Sequence, residues 1–292
     1  MIDLPQKIDL SHWNLTIPAG AKIIQTKKLQ TYASEWFVRN ADGSITFFAP
    51  SSGDGMKSTT NSAYPRSELR ETLPNGDDDE ANWSLGSAPV HSLSATLTVD
   101  ALAKSKKAII GQFHGKSTKP PFKLQITGDT IYVQYRPKYN GQEIKDPILK
   151  GYHLGDMLDY SAEVTSGGAF TVVVNGVTRQ YQFDVASYKG DKWYAKAGMY
   201  SQEKIGGEGA GRATFYALTM THGNQKAQTV DLEPVRVQPA ALPAAEQPAE
   251  SEDTTAGIRE RLSAMEDLLD DLPEGSVGSC APRLIRSGRF SE

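Results

Sequence analysis

Apolar and polar residues alternate in short runs from the N-terminal part of the chain to about residue 222, the two-residue period of half-buried β-strands. In "SLSATLTVDAL" (92–102), Leu93, Ala95, Leu97 and Val99 fall on one face. "SITFFAPS" (44–51) follows the turn "ADG", and "ATFYALTMTH" (213–222) reads as a closing strand. Two segments read as hairpins: "KLQITGDTIYVQYR" (123–136), turning at Gly-Asp, and "FTVVVNGVTRQYQF" (170–183), turning at Asn-Gly. Asn-Gly is the strongest short hairpin signal a sequence offers. No convincing helix separates these strands, and no unit repeats at a fixed period. The pattern predicts an all-β domain, a sandwich or barrel of the jelly-roll kind.

Three segments depart from the ordinary strand pattern by carrying chemistry on their polar face. "YPRSELRE" (64–71) places Arg66, Glu68 and Arg70 on one side. In "IIGQFHG" (109–115), Gln112 and His114 share a face and Phe113 points the other way. In "WYAKAGMYSQ" (193–202), Lys196, Gly198, Tyr200 and Gln202 share a face, with Ala195, Ala197 and Met199 on the apolar side. Taken singly, each has a plainer reading: a structural histidine, a solvated salt-bridge ladder, a surface Lys-Tyr pair. Together they put guanidinium, carboxylate, amide, imidazole, ammonium and phenol on strands of one sandwich. That mixture is a poor solvation face and a good description of a cleft. Gly198, small among long side chains, leaves room for a ligand to approach the backbone.

The character of the chain changes after His222. "VQPAALPAAEQPAE" (237–250) is Pro/Ala-rich and reads as a linker, so the chain divides into a strand-rich domain over 1–222, a linker over 223–253 and a tail over 254–292. In the tail, Ile258, Leu262, Met265 and Leu269, widened by Leu268 and Leu272, predict an amphipathic helix over 258–272 that ends at Pro273. It either folds back on the body, belongs to an otherwise unstructured tail, or serves docking or self-association.

Charge follows the same division. Residues 223–292 hold 13 acidic and 7 basic residues, leaving residues 1–222 with 22 and 24. A slightly basic body is compatible with a polyanionic ligand, but no Lys/Arg stripe of the kind that binds nucleic acid is present. Cys280 is the sole cysteine, so the fold holds without an intrachain disulfide. The opening "MIDLPQKIDLSHW" shows no secretory signal, and no apolar run approaches a membrane span. The location expected on that basis is the cytoplasm, or outside it by a non-standard route.

The three polar segments resemble the motifs of polysaccharide lyase family 7, the alginate lyases. The family's R-(S/T)-E-(L/V)-R appears as RSELR at 66–70, its Q-(I/V)-H as QFH at 112–114, and its Y-x-K-A-G-x-Y-x-Q as YAKAGMYSQ at 194–202. Their order matches, and "LSHWNLTIP" (10–18) resembles the family's first strand, so the likeness spans about residues 8–222. Phe113 departs from the family's Ile or Val at the position that tracks guluronate or mannuronate preference, which leaves epimer preference open.

The resemblance implies a jelly-roll β-sandwich of two antiparallel sheets, with a concave groove for an anionic uronate polymer, alginate. It implies β-elimination: a base removes the C5 proton and the glycosidic oxygen on C4 leaves, giving an unsaturated uronate. The adjacent carboxylate must be neutralised as enolate-like charge forms, which is work for preorganised donors; by resemblance these are Arg66, Gln112 and His114. Tyr200 matches the proton-transfer residue. A free phenol, with a pKa of about 10, is a weak base at neutral pH, so the reading calls for cations nearby, and Arg66 and Lys196 are the candidates. For one epimer Tyr200 serves as base and acid; for the other, neutral His114 is the base and Tyr200 the acid. Arg70 and Lys196 are carboxylate clamps for neighbouring sugars, joined by Gln202 on the same face. Glu68 either bonds a hydroxyl or pairs with Arg66 or Arg70.

No metal or other cofactor is called for, because arginine supplies fixed positive charge. The histidines at 12, 91, 114, 153 and 222 show no close ligand spacing, and "NGDDDE" (75–80) reads as a solvated acidic turn. Two long loops, 52–64 and 136–151, are either lids over the groove or plain connections. "GGEGAG" (206–211) reads as the turn from the Tyr200 strand to the last one. Two rivals stand beside the lyase. A glycoside hydrolase needs two carboxylic acids flanking the bond, and the polar face offers only Glu68. A non-catalytic carbohydrate-binding module would favour an exposed aromatic platform, which these strands lack.

Overall fold

The computed structural model describes residues 8–60, 62–73, 78–117 and 119–223. Its strands, in chain order, begin with β1 (Trp13–Thr16), β2 (Ile23–Ile24), β3 (Phe37–Arg39), β4 (Ile45–Pro50) and β5 (Arg66–Glu71). They continue with β6 (Val90–Ala101), β7 (Lys107–Gly115), β8 (Phe122–Thr127), β9 (Thr130–Tyr135) and β10 (Ile144–Leu149). The last are β11 (Met157–Thr165), β12 (Ala169–Val174), β13 (Val177–Gln182), β14 (Trp193–Ser201) and β15 (Ala210–His222). Among the described residues, helix is confined to α1 (Thr26–Leu29) and a 3-10 turn at Leu85–Ser87.

The strands form two antiparallel sheets. One runs β10-β9-β8-β7-β14-β5-β1-β2 and the other β13-β12-β11-β6-β15-β4-β3. Successive long strands, β5 to β6 to β7, switch between sheets, giving the jelly-roll sandwich that the strand pattern implied. Both hairpins form as read. Thr127 pairs with Thr130 around Gly128, whose φ is 61°. Val174 pairs with Val177 around Asn175 and Gly176, with φ values of 45° and 79°, as a tight twisted turn requires.

The core lies between the sheets. Leu93, Leu97 and Val99 of β6 are fully buried there, as their alternation predicts. Aromatic rings fill much of the rest: Phe47 meets Phe215 edge-on at 5.1 Å, and Phe122 meets Phe170 at 5.1 Å. Phe113 belongs to this interior, with 0% exposure and Trp83, Phe122 and Trp193 around it. It therefore touches no ligand on the opposite face and acts on the site only through the placement of β7.

Two readings of the sequence are corrected. Residues 136–151 are not one long loop, because 144–149 form edge strand β10 on β9. Pro147 sits there at a register shift, where a strand without a full hydrogen-bond ladder tolerates proline. Gly198 does not leave space for a ligand. Its φ is 139°, and a Cβ there would meet the Ser67 carbonyl oxygen at 2.6 Å and a Phe47 ring carbon at 3.1 Å. The missing side chain accommodates β5 and the core. The linker, the helix over 258–272 and Cys280 lie outside the described residues.

Candidate active site

Strand register brings the three polar segments side by side. On β5 and β14, Arg66 stands opposite Tyr200, Glu68 opposite Gly198, and Arg70 opposite Lys196. On β14 and β7, Lys196 stands opposite Gln112 and Tyr194 opposite His114. Directly opposed residues share a face, so these side chains leave the sheet on the side away from the core. An irregularity in the β14–β7 ladder falls between Ala197 and Tyr200 and sets Tyr200 opposite Ile109. Such a bulge re-aims a side chain, here the phenol.

That outward face is largely closed to water. Glu68 and Gln112 are each 1% exposed, Lys196 6% and Arg66 8%. Glu68 is the hub. It takes hydrogen bonds from Lys196 Nζ at 2.7 Å, Gln112 Nε2 at 2.6 Å and Arg66 Nη1 at 3.3 Å. Burial alone would raise its carboxyl, but the Lys196 and Arg66 charges, with the bonds from Lys196 and Gln112, outweigh burial and hold it below the usual carboxylate range. Burial pulls Lys196 down, against the pull of Glu68. The cluster contains two cations and one anion, and Arg66 Nε is buried without a hydrogen-bond partner. A buried excess positive charge is costly unless an anion arrives to match it.

His114 lies beside this hub. Its Nδ1 is 2.8 Å from the Gly115 carbonyl oxygen, which can only accept, so Nδ1 carries the proton and Nε2 keeps a lone pair. The Tyr194 hydroxyl is 3.1 Å from the same nitrogen, and the two rings stack at 5.2 Å. Burial, reinforced by Lys196, pushes the imidazole down to about 4, so it is neutral at neutral pH. Tyr200 is half-buried, with the Arg66 guanidinium carbon 3.7 Å from its ring centroid and Ser62 Oγ 2.9 Å from its hydroxyl.

The remaining candidates divide. Arg70 does not pair with Glu68; its Nη1 bonds Glu80 at 3.1 Å and its Nε bonds Asn14 at 3.3 Å. Gln202 follows the end of β14 and turns its amide back to the carbonyls of Ser201 (3.1 Å) and Tyr200 (3.5 Å). Two contributors escaped the sequence reading. Tyr194 has the same strand parity as Lys196, and that parity was the available signal. Ser62 lies on a loop, where no period marks it. Among the described residues no group of three His, Cys, Asp or Glu could hold a metal ion. Of the acidic turn, residues 75–77 are outside the described residues, Asp78 accepts from Thr26 N at 2.7 Å, and Glu80 is the partner of Arg70.

Known proteins are similar to this chain in sequence and architecture. The family model for alginate lyase matches residues 8–222. An alginate lyase of Klebsiella pneumoniae is 29% identical over 284 residues, covering 75% of this chain and 91% of that protein. The crystal structure of an alginate lyase from Pseudomonas aeruginosa is 37% identical, covers 73% of this chain and 99% of its own, and superposes with a TM-score of 0.66. Alginate lyase A1-II', a member of polysaccharide lyase family 7, is 33% identical, with 75% and 97% coverage and a TM-score of 0.67. Variants of A1-II' with a tyrosine replaced by phenylalanine, one of them also with a histidine replaced by asparagine, have been crystallised with the product GGG and the substrate GGMG.

Proposed function

The chain belongs to the alginate lyase family, polysaccharide lyase family 7, and from that premise we propose how its own residues carry the elimination. The enzyme is a polysaccharide lyase acting on alginate, and it breaks the glycosidic bond by β-elimination. The observation that carries the residue assignment is the buried face with one positive charge in excess, beside a phenol and a neutral imidazole.

A uronate carboxylate supplies the missing negative charge. Arg66 and Gln112 offer it N–H donors and stabilise the enolate-like charge that grows when C5 loses its proton, while His114, whose one N–H goes to the Gly115 carbonyl, stands beside them with its Nε2 lone pair free to act as a base. Glu68 does not react; it is held ionised and fixes Arg66, Lys196 and Gln112 in place. For substrates whose C5 proton faces Tyr200, the phenolate takes that proton, electrons form the C4–C5 double bond, and Tyr200 returns a proton to the departing O4. For the other epimer the proton leaves from the opposite side to His114 Nε2, and Tyr200 protonates O4. The A1-II' variants crystallised with oligosaccharides carry changes at a tyrosine and a histidine, which supports looking to these two residue types. Arg70, Lys196 and Gln202 serve neighbouring sugars, Arg70 together with its Asn14 and Glu80 partners. A hydrolase would need a protonated carboxyl flanking the bond, and Glu68 is held in the wrong state for that.

The catalytic unit proposed is residues 1–222, with 223–253 as a linker and 254–292 as a tail; the change of composition after His222 and a family match ending there support the division. Elimination creates a conjugated double bond that absorbs in the ultraviolet, whereas hydrolysis and simple binding do not. Following that absorbance on poly-mannuronate, poly-guluronate and mixed polymer tests the function. New reducing ends without new absorbance would overturn it.

A further inference from the structure

One short piece of chain contacts Tyr200 three times. Ser62 Oγ lies 2.9 Å from the phenol oxygen, the Tyr64 ring meets the Tyr200 ring edge-on at 6.4 Å, and the Arg66 guanidinium covers the ring face at 3.7 Å. The chain bends at residues 63 and 64 and then enters β5 at Arg66, and the bend brings 62, 64 and 66 onto the same ring. Ser62 is itself fixed. Its N–H donates to Thr59 O at 2.9 Å, its carbonyl accepts the Ser58 hydroxyl, and its Oγ accepts from Tyr64 N at 3.1 Å.

A serine hydroxyl has one proton and two lone pairs. With one lone pair taken by Tyr64 N–H, the proton has two acceptors in reach: the phenol oxygen at 2.9 Å and the Tyr64 carbonyl at 3.5 Å. The second distance is at the outer edge of hydrogen bonding, so the proton goes to Tyr200. We propose that Ser62 is a positioning residue for Tyr200: its hydroxyl donates to the phenol oxygen and, with Tyr64 and Arg66, aims that oxygen at the reacting sugar.

This deepens the reading of Tyr200 as the proton-transfer group and rests on it. Ser62 keeps its own proton throughout. When Tyr200 is phenolate, the Ser62 bond is charge-assisted and shortens the search for the reactive geometry. When Tyr200 has taken the C5 proton, the same bond continues to the neutral oxygen, whose proton then passes to O4. On the epimer for which Tyr200 is both base and acid, the net transfer is from C5 to O4 through Tyr200 alone. Ser62 thereby becomes part of the acid–base apparatus.

The test is steady-state kinetics by ultraviolet absorbance, on whichever polymer the wild type cleaves fastest. Ser62→Ala should lower kcat about 10- to 100-fold, the loss expected for a hydrogen bond to a charged group, with KM little changed. Ser62→Thr keeps the hydroxyl and should recover most of kcat. Wild-type kcat in Ser62→Ala, or a Ser62→Thr as slow as Ser62→Ala, would overturn the inference. Tyr200→Phe run alongside separates two failures. An active Tyr200→Phe removes the Tyr200 assignment and this inference with it. An inactive Tyr200→Phe beside a fully active Ser62→Ala removes this inference alone.

Discussion

Strand β5 carries two buried carboxylates three positions apart, Glu68 and Glu71, which are 1% and 3% exposed and leave the strand on opposite faces. Glu71 faces inward, at one end of the sandwich. It accepts from Trp83 Nε1 at 2.9 Å, the Ala195 backbone N at 2.7 Å and His222 Nε2 at 2.6 Å. Its partners then close on one another: His222 Nδ1 is 2.6 Å from His91 Nδ1, and His91 stacks on Trp83 at 4.1 Å. Because β5 and β14 belong to one sheet and β15 to the other, Glu71 fastens the two layers. Glu68 binds groups of one sheet only and leaves a positive charge over. Equal burial of equal residues thus says little about role. What separates a structural fastening from a reactive site is whether the partners' charges are used up.

The contrast breaks first at Tyr200. Tyr200→Phe should lose about 10²–10⁴-fold in kcat, the usual contribution of a positioned acid–base group, while its melting temperature stays close to wild type. Calorimetry beside the absorbance assay checks both halves, and a large fall in melting temperature would mean that the phenol is structural. Glu68→Gln comes next. It leaves Lys196 and Arg66 buried with no anion, and removing one member of a buried ion pair costs about 3–5 kcal/mol. Denaturant unfolding should show that loss, and turnover should fall with it because Arg66 is no longer held.

Glu71→Gln sharpens the comparison from the other side. A neutral amide can still accept from one or two of the three donors, so the expected cost is about 1.5–3 kcal/mol, the range for a hydrogen bond to a charged group. In a domain of this size about 1 kcal/mol moves the melting temperature by roughly 2–4 °C, so the shift is easily measured. The turnover of the folded fraction should stay within a few-fold of wild type. If Glu71→Gln loses activity as completely as Tyr200→Phe without losing stability, the inner carboxylate also serves the reaction and the division between the two faces fails.

The fold was largely legible because alternation and two-residue turns are local signals. Leu93, Leu97 and Val99, and the Asn175–Gly176 turn, fall where their pattern puts them. The motif strands were legible by parity, which is why Arg66, Glu68, Gln112, Lys196 and Tyr200 emerge on one face. What parity does not carry is which partner a charged side chain takes. Arg70 chooses Glu80 and Asn14 over Glu68, and those residues reach it from a turn and from β1. Gly198 was misread for a related reason: its role depends on the φ of 139° and on how near Ser67 lies, and neither is written in its neighbours. Ser62 and the His91–His222 contact depend on loop path and on residues 131 apart in sequence, so no local period announces them.

The smallest effect distinguishes the two histidines that burial holds neutral. Burial, with the adjacent His222, pushes His91 down to about 4, and burial with Lys196 does the same to His114. An unfolded histidine titrates at about 6.5, so between these values the unfolded chain binds the extra proton. The stability from each neutral imidazole is therefore full above about pH 6.5 and is lost as pH falls toward 4. Wild-type melting temperature should decline through that window. His91→Gln should start lower at pH 7, having lost its stacking on Trp83, and decline less steeply because one of the two groups no longer titrates. Its activity at pH 7 should remain. His114→Gln should flatten the same decline but abolish turnover on the epimer that uses it as base, and in the wild type that turnover should persist to about pH 5, since neutral His114 is still the major form there. An equal loss of activity in both variants would mean that the His91–His222–Glu71 chain reaches the reacting face through Ala195 and its neighbours, and that the two faces of β5 act as one unit.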